Sequence, residues 1–181
     1  MKKFSIFDMV LFTMFGVLLY LSDIVFELIP NVHGVALLIC VITLVYRSRA
    51  IISILVYIMI TMITSLVVSA GHSLWWIPYI YIFPILWLLV MLIPKKAPLK
   101  VKIILCTVFS ALHGLFFGVI YLPFQILMYN LNWEMTIAWL STGVAFDILH
   151  MIGNIAMCSL IYPLYKTLLK LEDSRQKKGY R

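Results

Sequence analysis

The sequence predicts an all-α membrane protein: a bundle of six transmembrane helices with the N- and C-termini on the same, cytoplasmic side. Composition is the first reason. The 181 residues are 64% hydrophobic and 12% charged, against about 45–50% apolar and about 25% charged in soluble domains, and that excess of apolar surface needs lipid to cover it. The second reason is a series of apolar runs close to the ~20 residues that cross a bilayer core. The third is the placement of the basic residues. The 14 Lys and Arg, against 7 Asp and Glu, give a net charge of +7, and they sit in every second loop rather than in a nucleic-acid-binding patch.

The elements follow in order along the chain. Lys2 and Lys3 precede an apolar run over 7–29. No small-x-small site closes it, and it exceeds the ~7–15 residues of a signal h-region, so it is expected to stay as an anchor. Pro30-Asn31 ends it. The next helix, 34–46, is too short to cross alone, so it requires a thinned bilayer or a loop that dips inward. Arg47 and Arg49 separate it from 49–70, and Gly71-His72-Ser73 turns the chain into 76–93. Pro94-Lys95-Lys96-Ala97-Pro98 combines two helix-breaking prolines with charge. Helices over 100–124 and 138–165 follow, joined through Tyr129-Asn130-Leu131-Asn132. Residues 1–165 thus form the transmembrane domain and 166–181 a basic cytoplasmic tail, solvated beside anionic lipid.

Counting charges tests the helix number independently of hydropathy. With six spans, all 14 basic residues fall on one side and the alternate loops hold none. One span more or fewer scatters them over both sides, against the positive-inside rule. No internal repeat of the kind found in many secondary transporters is present.

Ionisable groups inside spans are costly and tend to mark function. Asp23 and Glu27 stand one turn apart near the outer end of the first helix, either at headgroup level or at the mouth of a cavity. Asp147, His150 and Asn154, spaced i, i+3 and i+7, share one face of the last helix. They either line a polar cavity or tie helices together. His113, beside Gly114 and Gly118, either bonds that stripe or touches a ligand, while the glycine pair suggests close helix packing. His72, Trp75, Trp76 and Tyr79 fall in an aromatic-rich outer segment that serves as an interfacial belt or as a clamp for a flat ligand.

Hydrolytic and nucleotide-binding constellations are absent: there is no H-E-x-x-H, G-x-S-x-G or P-loop. Cys40, Cys106 and Cys158 lie inside apolar runs without metal-type spacing, as buried small residues do. No cofactor and no metal is expected, and energy for any transport has to come from a partner or an ion gradient.

The layout, together with Gly71-His72-Ser73-Leu74-Trp75-Trp76-Ile77-Pro78-Tyr79-Ile80-Tyr81 and Phe146-Asp147-Ile148-Leu149-His150-Met151-Ile152-Gly153-Asn154, resembles substrate-binding S components of energy-coupling-factor (ECF) transporters. The resemblance implies a non-enzymatic bacterial cell-membrane subunit of an ABC-type importer. It implies capture of a vitamin or similar micronutrient from outside, with docking on a membrane coupling protein that carries two cytoplasmic ATPases. The ligand would bind in the outer half, near Trp75, Trp76, Tyr79, Asp147 and His150. Where many such proteins carry Ala-xxx-Ala on the first helix, this chain has Thr13-Met14-Phe15-Gly16-Val17, which makes Thr13, Gly16 and Val17 the docking segment. Metal-specific relatives present a histidine near the initiator Met, whereas this chain begins Met1-Lys2-Lys3-Phe4, so an organic ligand is expected. Two other readings stay open: a membrane scaffold or accessory subunit without a small ligand, and a membrane enzyme using Asp147 and His150 as an acid/base pair.

Overall fold

The computed structural model describes residues 4–26, 32–68 and 74–177. Among them the structure is helical throughout: α1 (Ile6–Phe26), α2 (Val35–Tyr46), α3 (Ala50–Val68), α4 (Tyr79–Met91), α5 (Leu99–Leu115), α6 (Phe117–Tyr129), α7 (Trp133–Cys158) and α8 (Ile161–Lys177). Four stretches are long and apolar enough to cross a membrane: Ile6–Phe26, Val35–Val68, Leu99–Tyr129 and Trp133–Cys158. Tyr79–Met91 is apolar but shorter.

Val35–Val68 is not one rod. Arg47 takes a positive φ of 57° and opens a single 3-10 turn over Arg47–Arg49, which folds α3 back along α2. Asp23 of α1 touches both arms, since Tyr57 of α3 donates to Oδ2 at 2.8 Å and His33, just before α2, lies 3.0 Å from Oδ1. Arg47 is fastened at the turn, where its guanidinium donates to the Met91 carbonyl at 2.5 Å and its own carbonyl accepts from the Trp87 indole at 3.2 Å.

These contacts fix two ends of the bundle. At the basic end, Asp8 is reached by Arg49 at 3.4 Å and by Arg175 at 2.7 Å, and Lys102 lies 3.3 Å from the Tyr165 hydroxyl. At the aromatic end, the Tyr121 hydroxyl donates to the Trp75 carbonyl at 2.9 Å. α1 begins with a reciprocal cap: Ser5 N–H donates to Asp8 and Asp8 N–H to the Ser5 hydroxyl. α6 ends on Asn130 in the left-handed region, and Asn132 caps α7 by accepting from Met135 N–H at 2.9 Å.

α2 is the centre. Val35, Ala36, Leu37, Ile39, Cys40, Val41, Ile42 and Leu44 are all buried, and α1, α3, α4, α5, α7 and α8 all pack on it. A helix apolar on every side belongs inside other protein or lipid. At 12 residues it is about 18 Å long, and it begins beside Asp23, well short of the aromatic end. The shortness expected from the sequence thus has a physical cause: the space above its first turn is a cavity.

Three boundaries differ from the sequence expectation. The helix expected over 100–124 is α5 and α6, broken at Phe116, which sits in the bridge region with φ −99° and ψ 12°. The one expected over 138–165 starts earlier, at Trp133, and ends at Cys158. The boundary expected at 165 falls inside α8, whose Ile161, Tyr165 and Leu168 are buried. Lys166, Lys170, Arg175 and Lys177 therefore belong to an amphipathic helix docked through its apolar stripe, with Lys166, Lys170 and Lys177 on its exposed side. All three cysteines are free and buried.

Candidate functional site

Above the first turn of α2 lies a cavity of about 460 Å³, within the ~300–1,000 Å³ typical of small-molecule sites. Val35 and Ala36 form its floor, and α1, α4, α5, α6 and α7 supply its walls. Most of the wall is aromatic, from Tyr79, Phe83, Phe117, Tyr121, Trp139 and Phe146. Among the described residues the ionisable lining consists of Asp23, Asp147, His33, His113 and His150, beside the phenols of Tyr79 and Tyr121, without a Lys or Arg.

The break between α5 and α6 builds one side. At the turn the Phe116 N–H keeps its helical bond to the Leu112 carbonyl and also reaches the Gly114 carbonyl, which would be the helical acceptor of Gly118, and the Gly118 N–H donates instead to Asp147 Oδ1 at 3.0 Å. Asp147 thereby caps α6 from the neighbouring helix, as a carboxylate at a helix N-terminus is favoured to do. Gly118 is required for this approach: a Cβ there would lie 2.6 Å from Asp147 Oδ2. Gly114 serves a different contact, with α7 so close that a Cβ would lie 2.9 Å from the Met151 backbone nitrogen. The small-residue packing read from the sequence is therefore real, and one of the two glycines additionally shapes the site.

His113 is 3% exposed, and its Nε2 stands 3.0 Å from the Ile82 carbonyl. A carbonyl only accepts, so Nε2 carries the hydrogen and Nδ1 is left as an acceptor. Nδ1 has no hydrogen-bond partner among the described residues. His150 packs at a tilt of 54° against Phe117 with ring centroids 4.9 Å apart and meets His33 edge-on at 5.7 Å. Tyr79 is held by Phe83 at 4.7 Å and Trp75 at 5.4 Å.

Of the residues expected to bind substrate, the structure brings Asp23, Tyr79, His113, Asp147 and His150 into this one cavity. Trp75 lines an adjoining cleft that shares Asp23, His33 and Tyr79 with it. Trp76 lines neither. Asn154 lies deeper: it is 1% exposed and its side-chain amide donates to the Ser110 carbonyl at 2.8 Å, tying α7 to α5. Glu27 and His72 lie outside the described residues. In the expected docking segment, Thr13 and Val17 are exposed, but Gly16 is buried against Val56 and Ser53 of α3 and so packs within the chain.

His33, Phe117, Tyr121 and Trp139 escaped the sequence reading. His33 sits between Asn31 and Gly34 and resembles an ordinary loop residue; only the fold brings it to Asp23. Trp139 stands eight residues before Asp147, on the same helix face, and that periodicity could have found it. No family model, curated protein or solved structure matches this chain.

Proposed function

We propose that the chain is the substrate-binding membrane subunit of an ECF-type importer in a bacterial cell membrane. In this reading it crosses the bilayer six times, with both termini cytoplasmic, and takes up a vitamin-sized organic nutrient from outside. The observation that carries it is the cavity of about 460 Å³ at the aromatic end of the bundle, where residues far apart in sequence converge. Its lining on the α2 side is the buried, apolar pair Val35 and Ala36, as suits a capture site rather than a polar channel.

The six-span assignment rests on α2 and α3 being antiparallel arms, on α4 returning from Tyr79 to Met91 beside Arg47, and on α5 and α6 acting as one bent span. Arg47, Arg49, Lys102 and Arg175 then share one face, which the positive-inside rule makes cytoplasmic. α2 and α4 are shorter than a bilayer core, and the cavity above them takes up the difference.

The chain's own contribution is recognition. Aromatic walls exclude water and stack on a flat ligand, and the few polar groups fix its orientation. With no nucleotide-binding motif in the sequence, reorientation in the membrane and release would be driven by a coupling protein and two cytoplasmic ATPases. Trp139 in the wall supplies a probe: purified protein titrated with a vitamin panel is expected to show saturable fluorescence quenching by one compound. Silence across vitamins, nucleosides and modified bases, or failure to support ATP-dependent uptake when coexpressed with a coupling module, overturns the proposal.

A further inference from the structure

We infer that the cavity selects an amino-substituted aromatic heterocycle bearing no anionic group, held through Asp147 and His113 as hydrogen-bond acceptors. The inference rests on the capture-site reading above and narrows it to a ligand chemistry.

The charged lining is one-sided. Among the described residues no Lys or Arg lines the cavity, so a ligand carboxylate or phosphate would find no fixed cation there and would face two carboxylates. Burying an anion without a partner is strongly unfavourable. The two carboxylates are not equivalent. Asp23 accepts from the Tyr57 hydroxyl through Oδ2, and its Oδ1 lies 3.0 Å from His33 Nδ1, close enough to be shielded by that ring though without a hydrogen bond between them. Asp147 uses Oδ1 for the Gly118 N–H, and its Oδ2 takes no hydrogen bond among the described residues.

His113 points the same way by a separate route. Its Nε2–H is committed to Ile82, so its Nδ1 keeps a lone pair with no donor among the described residues, buried within the cavity wall at 3% exposure, and a ligand N–H reaches it as the wall side chains around it shift. A protonated ring there would bury a charge with no counter-ion in contact, so the neutral ring, with Nδ1 as acceptor, is the stable form. A buried acceptor left without a donor is destabilising, and a ligand N–H removes that cost. An oxyanion at the same place adds repulsion between lone pairs. Phe83 and Phe117 line the same cavity, each with its ring centroid 6.2 Å from that of His113, and such aromatic walls favour a flat and even a cationic ring.

The test uses the full chain in lipid nanodiscs and four probes: 2,4-diaminopyrimidine and 2,4-diaminopteridine against orotate and pteridine-6-carboxylate. Binding is read by tryptophan quenching and by thermal shift. The diamino probes are expected to bind, and the carboxylates to bind at least about ten-fold more weakly. Asp147→Asn keeps an oxygen for the Gly118 N–H while turning the free acceptor into a donor, so the fold is retained and its melting point provides the check. It is expected to weaken the diamino probes by about ten-fold or more and to leave or improve the carboxylates. Equal or tighter binding of the carboxylates overturns the inference while leaving a capture site in place. Diamino binding indifferent to Asp147→Asn also overturns it, as does silence of all four probes; in that last case the capture-site reading is decided separately by the nutrient panel and coupled uptake.

Discussion

At the residue scale the site depends on a few side chains whose environments differ sharply. Gly118 lets the Asp147 carboxylate cross to the start of α6, and Gly118→Ala would place a Cβ 2.6 Å from Oδ2. The carboxylate can swing away, so the expected cost is about 1–3 kcal/mol, with ligand binding lost in the same titrations. Asn154 makes the contrasting case. It shares a stripe with Asp147 and His150, but its amide is spent on the Ser110 carbonyl, away from the cavity. Asn154→Ala would remove this bond between α7 and α5 and leave a hole beside it, costing about 2–4 kcal/mol. A thermal melt should show that loss while ligand affinity in the surviving folded protein stays within about two-fold. A coequal loss of affinity would return Asn154 to the site. The sequence placed all three residues on one face correctly. Depth along the helix, which separates the two roles, depends on where α5 crosses α7.

At the element scale the C-terminal helix is the larger surprise. Its charge made residues 166–181 resemble a solvated tail, yet a buried stripe of Ile161, Tyr165 and Leu168 docks α8 on the bundle and Arg175 bridges Asp8 and Glu172. The apolar positions at i, i+4 and i+7 were legible in the sequence, but partners for them were not. Burial alone would raise the Glu172 carboxyl; hydrogen bonds from Arg175 and Gln176 outweigh it and hold the group below its ordinary value. A carboxyl lower in the folded than in the unfolded chain stabilises above its unfolded pKa of about 4.3 and loses that contribution as pH falls through the folded value. Protection factors of the α8 amides, corrected for the intrinsic slowing of exchange in acid, should therefore fall more between pH 5 and pH 3 than those of α5. Arg175→Gln should raise α8 exchange at neutral pH and flatten that dependence, whereas unchanged exchange in the variant would show that the apolar stripe alone holds the helix. The break between α5 and α6 was hidden for a related reason. Phe116 is an ordinary helix residue, and only a carboxylate on another element makes ending one helix and starting a second favourable there.

At the scale of the whole molecule, the proposed topology makes a direct prediction. The native cysteines are buried, so single cysteines can be placed on an otherwise unreactive chain. In intact cells, a membrane-impermeant maleimide should label Asn130→Cys and spare Lys96→Cys, and permeabilised cells should label both. The reverse pattern, or labelling of both in intact cells, would overturn the six-span arrangement. Ala36→Leu, which puts bulk on the cavity floor, should lower ligand affinity about ten-fold or more with only a modest shift in melting point, since the added side chain fills empty space. By itself the sequence determined the helical character, the stretches long and apolar enough to cross a membrane, and the separation of basic from aromatic ends, because hydropathy, charge and interfacial aromatics act residue by residue. It also named Asp23, Tyr79, His113, Asp147 and His150, because a polar group within an apolar run is conspicuous without any partner in view. Tertiary structure alone decided that His33 joins them, that Asn154 and Gly16 are spent on packing, that α2 is a buried floor, and that α8 is docked. Each of those depends on which elements meet and at what depth, and distances across a bundle are set by packing among helices that no local pattern encodes.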